Sequence, residues 1–315
     1  MAYLFSAFFI AYGEEQTKNT YKFSLGASAG FIYGQSFELV YPYDTPAPLC
    51  SQLIWDMKPV FYFGLQFDFK QINISERTGF FASVTFNIGI PSETGIMEDR
   101  DWLDKSSDHL TNFSSHTNIT REFFWLDAAF GISIPVKNYF YIKPFAAGSW
   151  MRFAFTGKDG YGEYARKKSY YSNTYFPVDD NPVKYTFIGE VIRYQQDWLI
   201  AAAGLSIGTE IAFPLSFELS FRISPLVFCA ASDEHLITGF TYDDYMSFGL
   251  YMEPKAGISF AVYNIYFLLE FSYRYIEGTK GFTNVNDGGI RYTAANSSGA
   301  GLSVFNTRFI ISFVF

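Results

Sequence analysis

The sequence predicts an all-β protein, a ten-stranded antiparallel transmembrane β-barrel with long extracellular loops. Three observations lead there. First, 37 Phe, 24 Tyr and 5 Trp make 21% of the 315 residues aromatic, more than a soluble core requires. Second, no apolar run reaches the roughly 18 residues that mark a membrane-spanning helix. Hydrocarbon can then be shown to lipid only by alternation in a closed ring of strands. Third, the last stretch alternates plainly: Phe305, Thr307, Phe309, Ile311, Phe313 and Phe315 share one face, and Asn306, Arg308, Ile310, Ser312 and Val314 the other.

Period-two alternation marks ten stretches in order, at residues 21–41, 51–70, 78–96, 121–135, 139–157, 185–213, 215–230, 246–262, 264–277 and 300–315. The connections at 71–77, 136–138, 214 and 263 are short. Those at 42–50, 96–120, 158–184, 231–245 and 278–299 are longer. Short and long alternate, as when one rim faces the periplasm and the other the outside. In the third stretch Phe80, Val84, Phe86, Ile88 and Ile90 face lipid, and Ser83, Thr85 and Asn87 face in. In the fourth, Phe124, Leu126, Ala128, Phe130, Ile132 and Ile134 face lipid, and Trp125, Asp127, Gly131 and Ser133 face in. In the seventh, Phe217, Leu219, Phe221 and Ile223 face out, opposite Ser216, Glu218, Ser220, Arg222 and Ser224. An interior holding Glu218, Arg222 and Arg308 is filled by a charge network, because ten strands leave little room for a wide pore.

The apolar segment from Met1 to Tyr12, followed by Gly13-Glu14-Glu15-Gln16, reads as the end of a signal peptide without its usual basic start. Residues 1–16 are set aside as that remnant, and 17–315 form a single outer-membrane barrel domain. A net charge of −8 argues against a nucleic-acid partner. Two cysteines, Cys50 and Cys229, make no disulfide framework. Metal-ligand spacings, phosphate loops and a Ser-His-Asp order are all missing, so no metal site is expected.

Chemistry concentrates in the outer connections, where all three histidines, His109, His116 and His235, are expected. Asp99 and Asp101 lie two apart and share a face if extended; so do Asp233 and His235. The third and seventh stretches both run outward and sit roughly across a ten-stranded lumen. Two carboxylates then confront an Asp–His pair over a cleft. A carboxylate beside imidazole orients it as a general base, and two close carboxylates resist joint ionisation, so that one keeps a proton. Spacing alone equally suits a solvated acidic rim or a cation site. The odd parity of Asp233 and His235 also conflicts with the outward odd positions below them, so a bulge is expected, with Pro225 as its cause.

These residues carry a resemblance to the omptin family of outer-membrane aspartyl-type endopeptidases. Met97-Glu98-Asp99-Arg100-Asp101-Trp102 is similar to the segment holding the family's aspartate pair, and Asp233-Glu234-His235 to its dyad. Gly34 to Tyr41, Ser51 to Trp55, Thr111 to His116, Arg152 to Thr156 and Gly299 to Gly301 resemble further family segments in order. The resemblance implies catalysis by Asp99, Asp101, Asp233 and His235 through an activated water, with Ser114 structural. It implies peptide or protein substrates at the cell surface, outer-membrane lipids as surroundings, a monomer, and no cofactor other than lipopolysaccharide or another outer-membrane lipid.

The departures concern binding. Omptins line the pocket for the basic residue before the cut with a glutamate and a second acid. Glu38 matches the first, but Ala231 stands at the second position. In the lipid-binding set Arg152 fits its arginine, whereas Ser149 and Met151 stand where a tyrosine and an acid are expected. A catalytically inactive surface adhesin, with the tyrosines between Tyr161 and Tyr175 as its binding loop, is the alternative reading.

Overall fold

The structure, a computed structural model, describes residues 19–42, 47–73, 78–137, 140–212 and 214–315. The expected leader, residues 1–16, lies outside the described residues. Alternating side chains give thirteen strands and no helix among the described residues. The first seven are β1 (Asn19–Val40), β2 (Ser51–Asn73), β3 (Gly79–Gly89), β4 (Ser92–Asp101), β5 (Asn112–Lys137), β6 (Phe140–Tyr164) and β7 (Val183–Ala212). The remainder are β8 (Leu215–His235), β9 (Phe240–Ser247), β10 (Leu250–Val262), β11 (Ile265–Glu277), β12 (Lys280–Asp287) and β13 (Ile290–Val314).

Antiparallel pairing runs β1-β2-β3-β5-β6-β7-β8-β10-β11-β13, and β13 returns to β1, closing a ring of ten. Above it lies a second ring. There β4 replaces β3 between β2 and β5, while β9 and β12 replace β10 and β11 between β8 and β13. Closure pairs the backbone groups that an open edge would leave in hydrocarbon. The connections expected at 96–120, 231–245 and 278–299 are therefore largely strand. Above the lipid both faces of a strand meet polar surroundings, so apolar alternation fades while the backbone ladder continues.

The lower ring wears the predicted lipid face. Phe80, Val84, Phe86, Ile88, Phe130, Ile132, Ile134, Leu219, Phe221, Ile223, Phe305, Phe309 and Phe313 are exposed. Its interior is the expected charge network. Arg222 bonds Asp127 at 2.7 and 3.0 Å and lies 3.3 Å from Glu253, which Arg274 bonds at 2.8 Å. Arg308 pairs with Glu270 at 2.9 Å. Above these ions sits an aromatic floor, in which Trp55 stacks on Phe155 and Tyr194 with ring centroids 5.4 and 5.5 Å away.

Removing one member of a buried ion network leaves its partners charged in a dry interior. Arg222→Ala should destabilise the folded barrel by about 3–5 kcal/mol, while Arg121→Ala on the exposed wall should shift it by less than about 0.5 kcal/mol. Urea titration of tryptophan fluorescence in lipid vesicles measures both.

Candidate active site

The upper ring begins where strands lose phase. On β8, even-numbered side chains Arg222 and Ser224 are buried, but from Val227 onward the odd ones are: Val227, Cys229, Ala231 and Asp233. Between them β8 advances three residues, Ile223 to Leu226, while its partner β7 advances two, Ala203 to Ala201. The extra residue is a β-bulge at Ser224-Pro225. Proline brings no N–H to the ladder, and the Ser224 hydroxyl accepts the Leu226 N–H at 2.8 Å and donates to the Ala201 carbonyl. Asp233 and His235 thereby turn into the lumen, as the parity argument required.

On the opposite wall the strand breaks at Pro91, between β3 and β4, and shifts again at Glu93/Gly95. Gly95 adopts φ of +115°, and a Cβ there would come within 2.8 Å of Asp56. Asp56 braces the bulge: its Oδ2 accepts the Ile96 N–H at 3.2 Å, and its carbonyl accepts from Thr94 and Asn118 at 3.1 and 2.6 Å. The two shifts cancel, which returns Met97, Asp99 and Asp101 to the inward face. The two acids are strand residues, not loop residues.

Each pair has its own partners. His235 Nε2–H donates to Asp233 Oδ2 at 2.7 Å, and the Tyr242 ring meets the imidazole edge-on at 5.4 Å. Ser51 donates to Asp99 at 3.2 Å, and Asn112 donates to Asp101 at 3.0 Å. Ser51 and Asn112 are the register partners of Asp101 on β2 and β5. Sequence reading missed both roles, because cross-strand register carries no local signal.

The pairs act on each other across the lumen. Burial pushes the Asp99 carboxyl well above the usual carboxylate range, and the Asp101 charge adds to this, while the nearby His235 charge opposes it. Burial also raises Asp101, against hydrogen bonds from Asn112 and Ser51 and the charge of His235. Burial alone would lower His235. The hydrogen bond to Asp233 and the charges of Asp233, Asp99 and Asp101 outweigh that and hold it above its ordinary 6.5.

Nearby, Glu38 on β1 is 3% exposed. Burial and then the charges of Asp233, Asp244 and Asp99 raise its carboxyl far above normal. Ala231 lines the same interior, buried on β8. Asp244 on β9, which the sequence did not flag, is also buried, and burial with the charge of Asp233 raises it to about 6 against a hydrogen bond from Thr283. One carboxylate oxygen on each of Glu38, Asp233 and Asp244 is buried without a hydrogen-bond partner.

A model of the omptin family matches residues 19–315. The chain belongs to the omptin family. Among solved structures, the outer membrane protease OmpT from Escherichia coli is 18% identical, with a TM-score of 0.82 over 93% of this chain and 97% of that one. That likeness shows a shared fold. The translocator domain of the autotransporter NalP from Neisseria meningitidis is 9% identical over 92% of this chain and 88% of that one, with a TM-score of 0.35. Curated protein sequences give no match.

Other positions of this omptin fall differently from expectation. His116 is not in an outer loop but buried in β5, its ring nitrogens bonded to the Asp159 carbonyl at 2.6 Å and the Ser114 hydroxyl at 2.9 Å. His235 likewise ends a strand, and His109 alone among the three lies in a connection, bonded to Ser107 and the Tyr175 carbonyl. Arg152 lies on the outer wall beside Trp150 and bonds Asp197 at 2.8 Å. Ser149 and Met151, expected beside it, face inward: Ser149 bonds Asp127, and Met151 meets Arg274. Alternation makes Gly148 and Trp150 the outer neighbours of Arg152 on its own strand.

Two outcomes test this geometry. In Asp233→Asn the burial that lowers the imidazole remains and the nearest of the charges that raise it is gone, so His235 should titrate lower than in the parent. Deleting Pro225 removes the extra residue and restores plain alternation. The barrel should still fold, with its heat-modifiable gel mobility, but His235 should return to a pKa of about 6.5. NMR of the histidine ring protons in micelles, assigned with His109 and His116 variants, reads both. A raised pKa retained after the deletion would exclude the bulge as the aiming device.

Proposed function

We propose that the chain is an outer-membrane endopeptidase that cuts peptides at the cell surface with a water held between His235 and Asp99. The observation that carries this reading is the 2.7 Å Asp233–His235 hydrogen bond opposite two carboxyls made weak acids by burial. Membership of the omptin family supports it.

Asp233 takes the Nε2–H of a neutral imidazole, which leaves Nδ1 with the lone pair. Nδ1 removes a proton from the water as its oxygen attacks the scissile carbonyl. Negative charge collects on the former carbonyl oxygen, and the proton retained by the Asp99–Asp101 pair stabilises it. The imidazolium, held by Asp233, then passes its proton to the departing amine. No acyl-enzyme forms, and Ser114 is engaged with His116. Glu38 attracts a basic side chain on the substrate.

The site opens away from the rim at which β5 and β6, β7 and β8, and β10 and β11 are joined by connections of two residues. With that rim in the periplasm, it faces the cell exterior. Asp233 lies five residues beyond the lipid-facing Phe228, roughly 15 Å along the strand, which lifts the chemistry clear of hydrocarbon.

Refolded protein in lipid should cleave a mixed peptide library, read by mass spectrometry. His235→Ala and Asp99→Asn should each lower kcat/KM by at least about 10²–10⁴-fold with the barrel intact. The rate should rise with pH as His235 loses its proton, on a limb lying above 6.5 because that group is raised. At higher pH it should fall as the aspartate pair loses its retained proton. A folded parent that cuts no peptide would sink the reading and favour a surface-binding barrel.

A further inference from the structure

The acidic pocket of the proposed endopeptidase looks incomplete on β8, where Ala231 offers only a methyl group. The adjoining strand supplies what is missing. Asp244 on β9 is the direct register partner of Ala231. Directly opposed residues of an antiparallel pair project from the same face with Cβ atoms about 5 Å apart. A carboxylate carried at 244 therefore reaches the volume that a longer side chain at 231 would have entered, and the small Ala231 leaves it room.

Asp244 and Glu38 are each 3% exposed. Asp244 Oδ1 and Glu38 Oε2 are both buried with no hydrogen-bond partner, and the charge of Asp244 acts on Glu38. Buried carboxylate oxygens are rarely left unpaired, and a pair of them near one another calls for a donor from outside. The neighbouring Asp243 turns to the other face of β9, where it accepts from Ser232 at 2.9 Å. Thr283 faces Asp244 from β12 and fixes its position without neutralising it. The chemistry that fits is a fixed cation with several N–H donors. A guanidinium can fork to two carboxylates, whereas an ammonium meets them as a point charge.

Building on the endopeptidase reading, we infer that Asp244, with Glu38, receives the basic side chain that precedes the cut bond, in place of the acid absent at Ala231. The carboxylate has moved one strand sideways while the pocket it serves is retained.

Two peptides that differ only in arginine or citrulline before the cut bond test this, because citrulline keeps the shape and lacks the charge. The parent should prefer arginine, and Asp244→Asn should reduce the arginine-to-citrulline ratio of kcat/KM about 30-fold or more. The double variant Ala231→Asp/Asp244→Asn should regain the preference, and Asp244→Glu should keep it. An unchanged ratio in folded Asp244→Asn, an equal loss on both peptides, or a folded double variant without preference would each overturn the assignment. So would a parent that cuts both peptides equally, although the endopeptidase reading would survive. A parent that cuts neither peptide, nor any in the wider library, would remove that reading and this inference together.

Discussion

In a closed antiparallel ring each side chain has two directions, into the lumen or out of it, and one inserted residue exchanges them for everything beyond. The site of this omptin depends on that constraint. On β8 the phase that places Arg222 in the ion network would turn Asp233 and His235 outward. The bulge at Ser224-Pro225 lets one strand serve two storeys with opposite parity. On the facing wall the break at Pro91 and the shift at Gly95 compensate each other. A third irregularity at Lys58-Pro59 separates the part of β2 that meets lipid from the part that carries Ser51. Three prolines thus stand where strands leave the lower ring, each at a place where the hydrogen-bond ladder is already interrupted.

The two storeys treat buried charge in opposite ways. Below, Asp127, Glu253 and Glu270 each meet arginine at hydrogen-bonding distance, and the lumen is filled. Above, acids gather: Asp233, Asp99 and Asp101 act on His235, and Glu38 and Asp244 feel the charge of Asp233. The aromatic floor around Trp55, Phe155 and Tyr194 separates them. Its stacked rings occupy the lumen between the arginines below and the carboxylates above.

The lower storey was legible in the sequence because lipid enforces a strict rule. The lipid faces of residues 78–96, 121–135 and 215–223 were readable from Phe, Leu and Ile positions alone. The upper storey follows a weaker rule: β12, most of β9 and the second half of β4 fall in stretches that read as loop. Short motifs still point to Asp99, Asp101, Asp233 and His235, and the parity conflict at Pro225 calls for a bulge from the sequence alone. What stayed hidden was pairing between distant strands. Nothing near Ser51 says that it faces Asp101, and nothing near Asp244 says that it lies opposite Ala231. Ser149 and Met151 turn to the other side from Arg152 because alternation governs β6, which a position-by-position motif match does not register.

The surplus of acids has a thermodynamic sign. Asp244 moves from an ordinary 3.8 to about 6 on folding; burial also raises Glu38, with the charges of Asp233, Asp244 and Asp99 adding to it, and Asp99, with those of Asp101 and Asp233. A carboxyl whose folded pKa is raised binds more protons in the native state than in the unfolded one. Its contribution is most favourable below the unfolded value and declines as pH rises through the folded value, for Asp244 between about pH 4 and 6. Near neutrality the charge on Asp244 is therefore a cost to the fold. A positive charge beside a carboxylate favours its ionised form, so a cation at this position would lower that cost.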